Sequence, residues 1–178
     1  VPDVAADMAD GQYRTATNMT DRQGALMVLA GLDVPQRETA LADFLTRFHD
    51  NALVVDKWFA LQAQSLHPRV LDHVKALAAH PDFTLKNPNR VRSLYMAFTG
   101  APHGFHAATG EGYRLIADLV LALDPINPQT AARFISPLGR WRRTEPVRAA
   151  LMKAELERIA AAPGLSRDTA EQVGRSLD

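Results

Sequence analysis

The sequence predicts an all-α protein, folded as a HEAT- or armadillo-like superhelix of helical repeats. Apolar residues recur at three- and four-residue spacing along most of the 178 residues, and no alternating run is bounded by hairpin turns. Asn87-Pro88 and Asn127-Pro128 lie about 40 residues apart, a spacing typical of one HEAT or armadillo helical pair. A coincidental spacing of the two Asn-Pro pairs is the alternative, because Asn-Pro is a common helix start. The length predicts a single domain over residues 1–178.

The first half of the chain carries two helix-start signals. Thr20-Asp21-Arg22-Gln23 has the spacing of a capping box, in which Thr and Gln side chains bond two free backbone N–H groups. Asp33-Val34-Pro35-Gln36 places Pro in a first helical turn, where its missing N–H does no harm. The apolar stripes that follow these starts are Leu26-Leu29-Ala30 and Leu41-Phe44-Leu45-Phe48.

The second half is punctuated in the same way. Helix starts are predicted at Asn87, Asn127, Thr144-Glu145-Pro146 and Ser166. The apolar stripes there are Leu115-Leu119-Leu123 and Leu151-Met152-Leu156-Ile159. With breaks at the Pro and Gly residues, the pattern predicts about nine or ten helices of roughly 10–18 residues each.

Composition excludes several function classes. Lys and Arg number 20 against 20 Asp and Glu, which argues against a nucleic-acid partner, and the chain has no cysteine for a disulfide or a thiol nucleophile. Apolar runs are too short for a membrane span. Val1-Pro2-Asp3 resembles no targeting leader, so we expect a cytoplasmic protein or a piece of one. The neutral total conceals an acidic front and a basic stretch over residues 86–148, with nine basic and four acidic side chains.

Searches for a catalytic set find none. The six histidines include no HExxH pair, and His103-Gly104-Phe105-His106 offers no third ligand in register, so no metal site is predicted. A nucleophile elbow and a phosphate-binding glycine loop are also absent from the sequence. Trp58-Phe59 and Trp141 are more typical of core or interface anchors than of a ligand-stacking site.

Arginines near the Asn-Pro helix starts are the strongest polar candidates. Arg90 and Arg92 follow Asn87, and Arg133 follows Asn127. If consecutive repeats stack in register, these side chains converge near helix N-termini and favour a carboxylate or a peptide carbonyl. Ordinary surface arginine is the alternative. The dense run Arg140-Trp141-Arg142-Arg143 is typical of a helix C-terminus with favourably placed cations.

Six short strings occur in a distinctive order along the chain: Asn18–Asp21, Leu53–Phe59, Asn87–Leu94, Phe105-His106, Gly110–Tyr113 and Asn127–Gln129. Together they resemble the C-terminal region of the bacterial aminopeptidase N family. The resemblance covers essentially the whole chain and is strongest from Asn51 onward. That family consists of zinc metallopeptidases that remove N-terminal residues from peptides, with a catalytic HExxH domain and an all-helical C-terminal domain.

The resemblance implies a non-catalytic capping domain. Zinc and the catalytic residues would belong to the parent's catalytic domain, so this chain alone is expected to bind no cofactor and to be inactive. The resemblance places Arg92, Gln129 and Arg133, with Arg90 as a weaker candidate, in the lining of the substrate cavity. The expected partners are the catalytic domain of the same polypeptide and a peptide substrate, with no nucleic acid or membrane, and some self-association through uncapped apolar surface. A free-standing HEAT-like interaction module is the alternative, and a reading frame extended upstream to an HExxH motif would discard it.

Overall fold

The computed structural model of the protein describes residues 2–178, and every regular element in that range is a helix. The all-α prediction is confirmed. The α-helices are α1 Pro2–Thr15, α2 Met19–Ala30, α3 Pro35–Phe48, α4 Ala52–Ala63, α5 Val70–Ala78, α6 Pro88–Val91, α7 Pro102–Phe105, α8 Glu111–Leu123, α9 Pro128–Arg133, α10 Ile135–Leu138, α11 Pro146–Ala160 and α12 Arg167–Leu177. A π-helical turn covers Arg92–Met96 and a 3₁₀ turn covers Trp141–Arg143.

Four of the predicted helix starts are confirmed by their caps. The Asn127 side chain accepts from the backbone N–H of Thr130 over 3.0 Å at the start of α9. The remaining three are Asn87 at α6, Glu145 at α11 and Ser166 at α12, each accepting from a backbone N–H in the following turn. These side chains bond N–H groups that have no partner within the helix itself.

One predicted start in the first half is wrong in detail, and the other is confirmed but has no side-chain cap. Helix α2 begins earlier than the predicted box at Thr20, because Asn18 is its N-cap and accepts from Asp21 N over 2.9 Å. Helix α3 begins at Pro35, which confirms that this proline lies in a first helical turn. Val34 is at the N-cap position and provides no side-chain cap, while Asp33 bonds Arg69 over 2.9 Å.

The predicted lengths hold for most of the longer helices, whereas α6, α7, α9 and α10 are four to six residues long. The break after α9 has a local cause. Pro137 lies four residues after Arg133, where its ring would clash with the Arg133 carbonyl in a continuous helix and its missing N–H could not bond that carbonyl. The chain therefore starts a separate turn, α10, at Ile135.

The chain divides into two compact units. The first unit contains the residues up to Phe83 together with Arg92–Gly104. Within it α1 to α4 pack as successive neighbours, and α4 also contacts α5 and the π-helical turn. The side chains at the centre of this unit, none more than 2% exposed, are Leu26, Leu29, Phe44, Phe59, Leu61, Leu94 and Phe98.

The second unit contains Thr84–Val91 and Phe105–Asp178. Within it α8, α9, α11 and α12 pack on one another, and the short helix α10 contacts both α11 and α12. Fully buried side chains form its core: Tyr113, Ile116, Leu123, Phe134, Ile135, Met152, Leu156 and Ile159. Most of the apolar stripes predicted from spacing thus face a core, since burial of such faces dominates the stability of helical domains.

No helix among residues 2–178 is both long enough and apolar enough to cross a membrane. The aromatic pair Trp58-Phe59 is buried in the first unit, with its rings in an edge contact at 5.1 Å. Trp58 Nε1 donates to the Leu41 carbonyl over 2.9 Å. The interpretation of this pair as core anchors is therefore confirmed.

Candidate functional site

A groove of about 340 Å³ lies in the second unit between α9 and α12, and two of the predicted site residues line it. We call it the α9/α12 groove. Its lining consists of Gln129, Ala132, Arg133, Asp168, Glu171, Gln172 and Arg175. Gln129 and Arg133 are four residues apart on α9, a spacing that places two side chains on the same helix face.

Local capping positions both walls of the groove. Asn127 fixes the first turn of α9, which carries Gln129. Ser166 caps α12 and is itself held by Asp124, which accepts from Ser166 N over 2.8 Å and from the Thr169 hydroxyl over 2.6 Å. Burial raises the pKa of Asp124, but the hydrogen bonds from Ser166 and Thr169 outweigh it and leave the pKa below its ordinary value. An ionised Asp124 thus anchors the first turn of α12 on the end of α8.

The α9/α12 groove contains charges of both signs. Asp168 and Glu171 supply carboxylates, and Glu171 is ion-paired with Arg175 on the next turn. The Arg133 side chain is exposed and has no hydrogen-bond or ion-pair partner among residues 2–178. An unpaired guanidinium beside the Gln129 amide gives two donor groups for a carboxylate or a peptide carbonyl.

Arg133 lies in the last turn of α9 rather than near its start. The sequence argument from helix N-termini therefore does not apply to it, because α9 ends after six residues. The positive helix-end partial charges would be near Asn127 instead.

The two remaining predicted site residues follow Asn87. Arg90 is buried in α6 of the second unit, and its backbone N–H donates to Asn87 Oδ1 over 3.3 Å. Arg92 is exposed at the start of the π-helical turn and belongs to the first unit. Both residues have interactions within the chain. That Arg90 and Arg92 share one cavity with Gln129 and Arg133 stays a prediction.

The basic run Arg140–Arg143 was expected to end a helix of its own. It instead forms a 3₁₀ turn against the C-terminal end of α12. Arg142 donates to the carbonyls of Ser176 and Leu177 over 3.2 and 2.7 Å. The cations of this run thus lie at the C-terminus of a different helix, α12, about 35 residues further along the chain, where the helix dipole favours positive charge. No local signal in the sequence could identify that helix.

His103 and His106, the two histidines of the string considered for a metal site, have different surroundings. His103 lies in the short helix α7, and the His106 ring is bonded through Nδ1 to the Tyr113 hydroxyl over 2.7 Å. Burial and the nearby Arg148 guanidinium lower the pKa of His106. Among residues 2–178, no group of three or more His, Asp or Glu side chains is arranged to hold a metal ion.

Residues 2–178 match the profile of a family described as a domain of unknown function with ARM repeats, DUF3458_C. The chain is 44% identical over 168 residues to aminopeptidase N of Caulobacter vibrioides, covering 94% of this chain and 20% of that protein. It is 40% identical over 167 residues to aminopeptidase N of Escherichia coli, covering 93% of this chain and 19% of that protein.

A solved aminopeptidase structure contains the same fold over nearly the whole of this chain. Aminopeptidase A of Legionella pneumophila, crystallised in complex with aspartic acid, superposes with a TM-score of 0.92 at 35% identity. The match covers 97% of this chain and 20% of that one. This chain thus spans about a fifth of the length of the relatives it matches. The resemblance to the C-terminal domain of aminopeptidase N and the armadillo-like fold are confirmed by these matches.

Proposed function

The chain belongs to the DUF3458_C family of ARM-repeat domains, and from its similarity to proteins named aminopeptidase N we propose that it is the non-catalytic C-terminal capping domain of a zinc aminopeptidase. The whole enzyme removes N-terminal residues from peptides. In this role the domain encloses the cavity in which the substrate lies, and it restricts the substrates that can enter to peptides. Zinc and the catalytic residues belong to another domain of the same polypeptide, which acts in the cytoplasm without nucleic acid or membrane partners.

One observation carries the proposal. Two relatives named aminopeptidase N match more than nine-tenths of this chain at 40% identity or more, yet the match is only about a fifth of each relative. Such a match is typical of one domain of a longer enzyme. The catalytic domain of the same polypeptide is therefore the first partner that we propose.

The α9/α12 groove supports the substrate-facing part of the proposal. A peptide presents backbone carbonyls and a terminal carboxylate, and it needs hydrogen-bond donors that are not already occupied. Gln129 and Arg133 are exposed on one face of α9, and Arg133 has no side-chain partner among the described residues. We include Arg92 and Arg90 in the proposed lining on the resemblance alone.

The proposal is tested in the intact enzyme with Arg133→Ala and Gln129→Ala. We expect either substitution to raise the KM of peptides of five residues or more by about three- to tenfold, the loss of one charge-assisted or neutral hydrogen bond. The kinetics of an amino-acid anilide should not change, because this short substrate would not reach α9. Arg167→Ala removes another exposed arginine, which is not part of the groove lining, and serves as the matched control.

Unchanged kinetics on long and short peptides would remove Arg133 and Gln129 from the proposed lining. A separate experiment addresses the non-catalytic part. The purified 178-residue chain is expected not to hydrolyse an amino-acid anilide with or without added zinc, whereas metal-dependent hydrolysis by this chain alone would contradict the proposal.

A further inference from the structure

A second groove, of about 420 Å³, lies at the C-terminal end of α12 and has a strongly basic lining. We call it the basic groove. Arg140, Arg142 and Arg143 line it from the segment after α10, and Arg175 lines it from α12. The hydroxyl groups of Ser136 and Ser176 are also in the lining, and no Asp or Glu of residues 2–178 is part of it.

One of these arginines has a structural task. Arg142 donates to the last carbonyls of α12, and its guanidinium carbon lies 4.1 Å from the ring centroid of Trp141. Trp141 Nε1 donates to the Ser176 carbonyl over 2.9 Å. These bonds satisfy carbonyls that have no partner at a helix end, and they fix the 3₁₀ turn on α12. The groove is therefore preformed, with one wall held by a cation–π contact and three hydrogen bonds.

Capping does not explain the other cations. The exposed side chains of Arg140 and Arg143 have no hydrogen-bond or ion-pair partner in the described part of the chain. Arg175 is paired with Glu171, so its charge is partly compensated. Arg140 and Arg143 thus line the groove without a neighbouring carboxylate to neutralise their charge. They repel each other and Arg142, which is hydrogen-bonded to α12, and an anion placed between them would relieve that repulsion.

We propose that the basic groove binds a small multivalent oxyanion, a molecule bearing phosphate or carboxylate groups. Arg140 and Arg143 present planar N–H forks that match the paired oxygens of either group, and the Ser136 hydroxyl is a further donor. The Ser176 hydroxyl already donates to the Gln172 carbonyl over 2.9 Å, so it does not contribute a donor to the anion. The inference depends on the residues of this groove and not on the proposed peptidase role.

Calorimetric titration of the full chain tests the proposal and distinguishes the two kinds of group. Tripolyphosphate and citrate are the probes, each at the same ionic strength adjusted with sodium chloride. We expect at least one probe to bind, and the double substitution Arg140→Gln with Arg143→Gln to weaken that binding by tenfold or more. Each single substitution should weaken it about threefold, so the test does not depend on the double variant folding. Tighter binding of one probe identifies phosphate or carboxylate as the preferred group.

Arg167→Gln is the matched control, since it removes the same charge from an exposed arginine of the same unit outside the groove. It should bind the probes as the unmodified chain does. Equal weakening by Arg167→Gln would show general attraction to net positive charge and would overturn the proposal. So would the absence of binding for both probes at millimolar concentration.

Discussion

Arg37 donates a hydrogen bond from Nη2 to Nδ1 of His73 across 3.0 Å. Because a guanidinium can only donate, the His73 ring must be neutral and carry its proton on Nε2. The ring also contacts that of the buried His67 in a tilted arrangement, with centroids 4.3 Å apart and an interplanar angle of 54°. Arg69 adds a second cation, while Asp33 and Glu38 are the nearby carboxylates. The first unit thus holds two neutral imidazoles among positive charges.

This cluster makes the stability of the first unit dependent on pH. Burial first, and the Arg37 guanidinium second, lower the pKa of His73 to about 4, and the pKa of His67 is lowered by the same causes. The unfolded chain binds protons near the ordinary histidine pKa, whereas these two rings in the folded chain stay neutral to a lower pH. Their contribution to the free energy of unfolding is therefore fully present above about pH 6.5 and is lost as the pH falls toward 4. Urea unfolding should show a loss on the order of 2 kcal/mol between pH 7.5 and 5.

His73→Gln isolates the contribution of this ring. The glutamine amide keeps an acceptor for Arg37 but does not titrate, so the loss of stability at pH 5 should become smaller. His103→Gln, an exposed histidine of the same unit, should leave the pH dependence unchanged. A pH dependence equally steep in His73→Gln and in the unmodified chain would contradict this assignment.

Asp124 is expected to be the most sensitive polar position of the second unit. Its Oδ1 accepts from the hydroxyls of Ser166 and Thr169 over 2.5 and 2.6 Å, and Thr169 is fully buried. Asp124→Ala would leave these donors unpaired, which should lower the free energy of unfolding by about 3 kcal/mol. Chemical denaturation measures this loss. Asp118→Ala, which removes a carboxylate exposed beside Arg158, should cost less than about 1 kcal/mol, and a comparable loss at both positions would be evidence against a buried anchor.

Two glycines of the first unit should respond to alanine with opposite signs. A Cβ at Gly104 would lie 2.6 Å from Phe98 Cε2 and 2.7 Å from Val70 Cγ1, in a fully packed region. Gly104→Ala is therefore expected to destabilise the chain by about 2 kcal/mol. A Cβ at Gly24, inside α2, would meet nothing within 4 Å. Gly24→Ala should stabilise by about 0.5–1 kcal/mol, and thermal unfolding of the two variants would refute the contrast if both shifted in one direction.

Self-association should proceed through exposed apolar side chains of the first unit. Met8 is 72% exposed, and Met27 and Val28 on α2 are about half exposed. Such surface favours burial against a second copy. Sedimentation velocity of the full chain should show a concentration-dependent shift that Met8→Gln with Met27→Gln reduces. Val147→Gln, at an exposed apolar residue of the second unit, is the control and should not reduce the shift. A strictly monomeric profile at high concentration would contradict the prediction of self-association.

Much of the helical framework could be predicted from local signals. Asn127 and Ser166 cap helices as predicted because a capping bond spans only three residues and is set by the local sequence. Helix α3 also begins at Pro35 as predicted, but it has no side-chain cap, and the nearby Asp33 bonds the distant Arg69. The local sequence does not show which distant partner such a side chain will meet.

The candidate site could be predicted only in part. The resemblance predicts Gln129 and Arg133 as lining residues, yet the groove that they line is completed by residues of α12 some 40 positions later. The basic groove was not predicted, because the run after Gly139 carries its cations in adjacent positions and gives no sign of which helix end they would meet.

The sequence by itself determined the helical class, the faces that become buried, most helix starts and the resemblance to aminopeptidase N. These properties depend on spacings of three to seven residues or on ordered strings, both of which are visible in one dimension. Only the tertiary structure decided that Arg142 caps α12, that Asp124 anchors Ser166, and that Arg37 holds His73 neutral. Each of these bonds joins residues about 35 to 42 positions apart, and its geometry exists only after the helices have packed.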